Sequence, residues 1–306
     1  MKVDVLIPVY RPDGRLAELL DRLERQSLPA GRIILMNTEE QYFPEKLLEG
    51  RRNTEVHHLK KAQFDHGGTR DRGIRMSDAD LVVCMTQDAM PADDRLLEEL
   101  AKPFGDGRVW AAYARQLPAP DCREVERFTR SFNYPEQSAV KGAEDLPRLG
   151  IKTFFCSNVC AAWRRDKYEE LGGFAKRTIF NEDMIFAGTI VQAGGRIAYC
   201  AQAQVIHSHN YSALQQFHRN FDLAVSQAMH PEIFGGIRSE SEGIRLVKRS
   251  MEHCVRIGKP WLILQVVSQS AGKFLGYRLG QRYRSLPGGI VMRCTMNRAF
   301  WQGAEE

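Results

Sequence analysis

Apolar strand-like runs that alternate with helical periodicity predict an α/β fold, with a mostly parallel sheet and crossover helices packed on its faces. Two further observations support this class. A chain of 306 residues, 43% hydrophobic and 26% charged, can bury a full core. From about Ala213 onward the strand signals fade and helical ones dominate, so a Rossmann-like α/β domain over residues 1–212 is expected to carry a helical, basic extension over 213–306.

The elements follow in order. Residues 3–7 form an apolar run that Pro8 should stop. Leu16, Leu19, Leu20 and Leu23 recur at helical spacing behind Asp13, a suitable N-cap. Strands are expected at 32–36 and 55–59. The Gly67-Gly68 pair breaks the chain before a helix over 69–77, and 80–85 and 109–113 read as further strands. An apolar helix is expected over 184–191 and a short strand over 203–206.

Several function classes are disfavoured at this level. Residues 1–10 show no charged n-region followed by an apolar h-region, so no secretory signal is expected. The longest apolar stretches are interrupted well short of the roughly 18 residues that a spanning helix needs. Seven cysteines without a CxxC pair fit buried thiols in a reducing cytoplasm better than a disulfide frame or a zinc site. Neither GxGxxG after the first strand nor GxxxxGK[ST] occurs, which removes the main support for dinucleotide and P-loop readings. From Ile237 onward twelve Lys and Arg stand against five Glu, leaving +7 there and, from a total of +5, −2 for the rest. A basic tail on a near-neutral body argues against a general nucleic-acid binder and for a local anionic contact.

Four short segments carry chemistry. Asp88 lies just past the strand at 80–85, where ligands of open α/β sheets bind, although an acid there also serves as a turn cap. Gly67 and Gly68 let backbone amides approach an anion, and Arg70 offers a planar donor fork. Glu182 and Asp183 are adjacent acids that suit either a helix dipole or general-base work. His207 and His209, two residues apart after a strand, would point the same way.

In order and spacing these segments resemble family-2 inverting glycosyltransferases of the GT-A fold, and among them the bacterial rhamnosyltransferases that build surface polysaccharides. Val5-Leu6-Ile7-Pro8-Val9-Tyr10 is similar to that family's first nucleotide-binding strand, and Asp65-His66-Gly67-Gly68-Thr69-Arg70 to its diphosphate loop. Thr86-Gln87-Asp88-Ala89 stands where the family has Asp-x-Asp, with Thr86 in place of the first acid. Residues 133–136, 155–158, 161–165 and 171–174 resemble acceptor-side stretches. Asn181-Glu182-Asp183 resembles the base motif, and residues 207–212 with 219–222 the segment after it.

The resemblance implies a metal-dependent single displacement with Asp183 as base and Glu182 in support. Pro8, Val9, Tyr10, Asn37, Thr38, His66, Gly67, Arg70, Gln87 and Asp88 would hold the nucleotide sugar, with dTDP-L-rhamnose the implied donor. Mn²⁺ or Mg²⁺ would sit on Asp88 with His207, or with His209 in reserve, since only one carboxylate of the usual pair remains. The acceptor would be a glycan or lipid-linked glycan met on the cytoplasmic face of the membrane. Two alternatives stay open: the same class with a UDP-hexose donor, and a non-catalytic sugar-binding domain that would have no use for a base. Within the basic tail, Leu262, Val266, Phe274, Tyr277 and Leu279 mixed with Lys273, Arg278, Arg282 and Arg284 fit a helix resting on anionic lipid.

Overall fold

The apolar runs become strands where the pattern places them, and three of them run further toward the carboxyl end. The first passes straight through Pro8, which pairs with Met36, to Tyr10, and the strand at 203–206 begins earlier, at Arg196. In the computed structural model, which describes residues 1–237 and 240–302, the strands are β1 (Val3–Tyr10), β2 (Ile33–Thr38), β3 (Thr54–Leu59), β4 (Leu81–Met85), β5 (Met90–Pro91), β6 (Val109–Leu117), β7 (Ala139–Lys141), β8 (Cys160–Arg164) and β9 (Arg196–Ile206). Arg238, Glu305 and Glu306 of the charged tail lie outside the described residues. Two compact units emerge, interleaved along the chain.

The first unit comprises Met1–Ala119, Tyr134–Lys176 and Glu182–His207. Its sheet runs β3-β2-β1-β4-β8-β6-β9-β5, with β7 also on β9. The β3-β2-β1-β4 half is parallel. Beyond it β8 lies antiparallel to both β4 and β6, and β6 is parallel to β9. Helix Gly14–Glu24 is capped by Asp13, which accepts from the Arg15 amide, and buries all four leucines of the predicted stripe against the sheet. All seven cysteines are free and buried.

Parallel pairing sets the carboxyl ends of β1 and β2 side by side, Val9 opposite Asn37 and Tyr10 opposite Thr38. The next register step puts Asn37 opposite His58 of β3. The expected helix at 69–77 begins earlier and spans His66–Arg75. Two glycines read as a break because they are poor helix formers, but the Asp65 carboxylate caps the Gly68 amide at 2.5 Å and draws both into the first turn.

The second unit comprises Pro120–Asn133, Arg177–Asn181 and Ser208–Glu306, and its regular structure is helical. Helices Ala213–Met229 and Leu262–Gly280 pack along each other through glycines spaced four apart. A Cβ on Gly276 would stand 2.2 Å from the Phe217 carbonyl oxygen, and one on Gly280 2.3 Å from that of Phe221. These contacts are with backbone, which cannot step aside. Helix propensity alone would have Gly276→Ala stabilise by about 1 kcal/mol. The clash reverses the sign, and a net loss of about 1–3 kcal/mol is expected, read as a lower midpoint in chemical denaturation.

Candidate active site

The base motif is built on the start of helix Glu182–Gln192, where Asn181 takes the left-handed conformation at φ 65°. Two acids follow in sequence and part in environment. Glu182 is buried, and its Oε1 lies 3.0 Å from the Arg70 guanidinium and accepts from Asn158 Nδ2 at 3.1 Å. Burial alone would raise its pKa, but Arg70 above all, then His66 and the Asn158 bond, outweigh burial and hold the group below the ordinary carboxylate range. Glu182 is therefore a fixed anion.

Asp183 is only half-buried. Its two oxygens accept from the backbone amides of Asn158 and Met184, each at 2.8 Å, which sets the plane of the carboxylate and leaves its outer lone pairs free of those bonds. Burial first, and the neighbouring Glu182 anion second, push its carboxyl up to about 7 against those two amides. Adjacent acids whose environments drive their affinities for protons apart are the arrangement that general-base chemistry uses.

Asn158 joins the two acids. Its amide serves Asp183, its Nδ2 serves Glu182, and its Oδ1 accepts from the indole of Trp163 at 2.9 Å. That indole is fully buried against Phe174 and Phe186. The Leu171–Phe174 stretch therefore also serves packing. Gly173 has φ +77°, and a Cβ there would stand 2.5 Å from Asp71 and 2.7 Å from the Tyr168 ring. Tyr168 in turn donates to Asp71 and accepts from the Phe174 amide.

The diphosphate-loop residues sit beside the acids. Gly67 packs so closely that a Cβ would stand 1.9 Å from the Ala175 carbonyl oxygen and 3.4 Å from the Glu182 Cβ. Its lack of a side chain is what lets helix His66–Arg75 approach the base motif. Arg70 is buried and spends its cation on Glu182 and the His66 carbonyl. The amide of Gly68 is taken by Asp65.

At the sheet's carboxyl edge, Gln87 exchanges two hydrogen bonds with the backbone of Tyr10, at 2.9 and 3.1 Å, and so ties the loop after β4 to the end of β1. Asn37 bonds the Glu39 carbonyl and His58 through Nδ2, while its buried Oδ1 and the buried hydroxyls of Thr38 and Thr86 have no hydrogen-bond partner. Buried polar atoms of this kind are left for a bound ligand or an ordered water to satisfy.

Asp88 and His207 meet because β5 pairs antiparallel with β9, Met90 opposite Ile206, and carries Asp88 to the strand's end. Asp88 Oδ2 lies 3.6 Å from His207 Nε2. On the far side of the ring, Gln116 of β6 presents Oε1 at 3.1 Å to Nδ1, its own Nε2 donating to Ser157. Gln116 therefore keeps a proton on Nδ1, and in the neutral ring the Nε2 lone pair faces a carboxylate. Two acceptors directed at each other fit a cation between them, and mixed oxygen and imidazole donors suit Mn²⁺ or Mg²⁺. His209 belongs to the second unit and is half-buried, with its ring centroid 5.3 Å from that of Tyr211.

Sequence reasoning singled out the acids and the histidines but gave no role to Gln116, and it placed Asn158 and Trp163 only within longer acceptor-side stretches. None of the three belongs to a spacing motif.

Solved structures share this architecture. The chain resembles a mannosyltransferase from Pyrobaculum calidifontis, solved in complex with GDP-Man and Mn²⁺, at a TM-score of 0.57 and 15% identity, over 99% of this chain and 86% of that one. Residues 1–349 of S. aureus TarS align at a TM-score of 0.53 and 15% identity, over 93% of this chain and 92% of that one. The fold is that of the GT-A glycosyltransferases. More narrowly, residues 4–172 match the model for glycosyl transferase family 2, and the chain belongs to that family. It is 36% identical to the O-antigen chain rhamnosyltransferase RfbN of Salmonella typhimurium over 309 residues, covering 100% of this chain and 98% of the relative. It is 40% identical to the O-antigen chain rhamnosyltransferase WbaN of Salmonella anatum over 251 residues, 81% of this chain and 79% of the relative.

Proposed function

We propose that this glycosyltransferase moves L-rhamnose from dTDP-L-rhamnose onto a hydroxyl of a lipid-linked O-polysaccharide acceptor, with inversion at the anomeric carbon. The observation that carries the mechanism is the split acid pair, with Glu182 held ionised by Arg70 and Asn158 and Asp183 left as the group that takes a proton. The names of the two relatives support the sugar and the acceptor class.

Asp183 removes the proton from the acceptor hydroxyl as that oxygen bonds to the anomeric carbon. The bond from that carbon to the diphosphate oxygen breaks on the opposite face, and dTDP departs. Glu182 holds Arg70 in place and keeps the site's charge balanced. Val9, Asn37 and Thr38 line the nucleoside pocket, with Pro8, Tyr10 and Gln87 fixing its rim. His66, Gly67 and Arg70 form the wall between the donor and the base. Asp88 and His207 would hold a divalent cation, Mn²⁺ or Mg²⁺, with His209 in reserve. When bound, such a cation would supply positive charge to offset that of the diphosphate. Residues 1–212 supply this machinery and 213–306 the helical extension, at the cytoplasmic face of the membrane.

A panel of nucleotide sugars tests the reading. With Mn²⁺ present, dTDP-L-rhamnose is expected to raise the melting temperature and to be slowly hydrolysed, more so than UDP-glucose, UDP-galactose or GDP-mannose. A preference for a UDP-hexose would transfer the assignment to that donor.

A further inference from the structure

We propose that the outer face of helix Leu262–Gly280 is a docking surface for an anionic lipid bilayer. The helix has two faces of different kind. One carries Gly272, Gly276 and Gly280, whose missing side chains let it lie against the backbone of helix Ala213–Met229. The other presents Trp261, Leu264, Val267, Phe274 and Leu275, exposed by 68%, 76%, 47%, 59% and 54%. Their intervals of three, three, seven and one residues keep them on one side of the helix, in a stripe about 25 Å long at 1.5 Å per residue and closed by the exposed Arg278.

This stripe differs from the one the composition implies. Val266 and Leu262 pack with Val125 and Cys254, Leu279 joins the cluster around Phe221, and Tyr277 donates its hydroxyl to Gln227 at 2.9 Å. Of the five apolar residues expected to face lipid, Phe274 alone does so.

Charge identifies the occupant. From Gly243 to Gln302 the chain carries eleven Lys and Arg and one acid, Glu252. Arg256, Arg278, Arg282 and Arg284 are all exposed in the stretches beside the stripe. A second copy would bring the same cations against these, so self-pairing is opposed by repulsion. A bilayer bearing anionic headgroups satisfies the arginines and the apolar stripe together, with the indole of Trp261 at the headgroup level. Among the described residues no helix is long and apolar enough to cross a membrane, so the contact is peripheral. The inference rests on exposure and charge and stands apart from the donor assignment.

Vesicle co-sedimentation of the full chain, with phosphatidylcholine alone or mixed with phosphatidylglycerol, tests it. Wild type is expected to sediment with the anionic vesicles, to be released by salt, and to show tryptophan quenching by bromine-labelled acyl chains that Trp261→Phe reduces. Leu264→Glu with Phe274→Glu, both at exposed positions, should weaken partitioning roughly 10-fold or more while leaving circular dichroism and nucleotide binding unchanged. Wild type left in the supernatant at low salt overturns the proposal, as does binding that the double substitution does not affect. Equal binding to pure phosphatidylcholine removes the anionic specificity. A wild-type dimer that the double substitution turns into a monomer assigns the face to a second copy instead.

Discussion

Asp183→Asn is expected to reduce sugar transfer by at least about 10²-fold, the low end of what a positioned base contributes, while dTDP binding stays near wild type. The substitution keeps size and removes basicity. It also leaves one of the two amides that now serve the carboxylate, from Asn158 or Met184, facing an NH₂ group, so some loss of orientation adds to the loss of the base. The pH profile supplies a second test. A base works only when ionised, and burial beside the Glu182 anion pushes Asp183 up to about 7. The wild-type kcat/KM should therefore rise with pH through about that value and level off above it. Glu182 lies below the ordinary carboxylate range and stays ionised throughout, so it cannot produce this limb. If Asp183→Asn turns over at near-wild-type rate, the base is misassigned and Glu182 becomes the group to test.

Much of the sheet was legible because its signals are local. β1, β2 and β4 are apolar runs bounded by polar or turn residues, and the stripe of Leu16, Leu19, Leu20 and Leu23 behind Asp13 marks its own helix. β8 was not, since Cys160-Ala161-Ala162-Trp163-Arg164 contains no β-branched residue and becomes a strand by pairing on both edges with β4 and β6. The acids were visible as a pair, but their division of labour was not. It depends on Arg70 and Asn158, which are distant in sequence and brought near by tertiary packing. Helix Leu262–Gly280 was misread in detail for a related reason. Small residues on its inner face and apolar ones on its outer face leave no polar stripe, and only the packed structure separates the two.

Asp88→Ala and His207→Ala are each expected to weaken dTDP binding in the presence of Mn²⁺ by at least about 10-fold and to lower transfer by about 10² or more, the scale of lost charge stabilisation on a leaving diphosphate. The physical reason lies in the 3.6 Å gap between Asp88 Oδ2 and His207 Nε2. Gln116 accepts a hydrogen bond from Nδ1–H, so the gap holds either a second proton on the ring, giving an imidazolium–carboxylate pair, or a metal cation. The two occupants respond differently. An ion pair fades as pH rises and is indifferent to chelator, whereas a metal site strengthens as the imidazole loses its proton and is emptied by chelator. Calorimetric titration of Mn²⁺ into the chain, with and without dTDP, reads the site apart from turnover. Gln116→Ala should lower Mn²⁺ affinity by roughly 10–100-fold through loss of the tautomer control, and Gln116→Glu, which keeps an acceptor there, should restore much of it. Equal transfer rates in excess chelator and in Mn²⁺ would remove the metal from Asp88 and His207 and leave them an ion pair that braces the ends of β5 and β9.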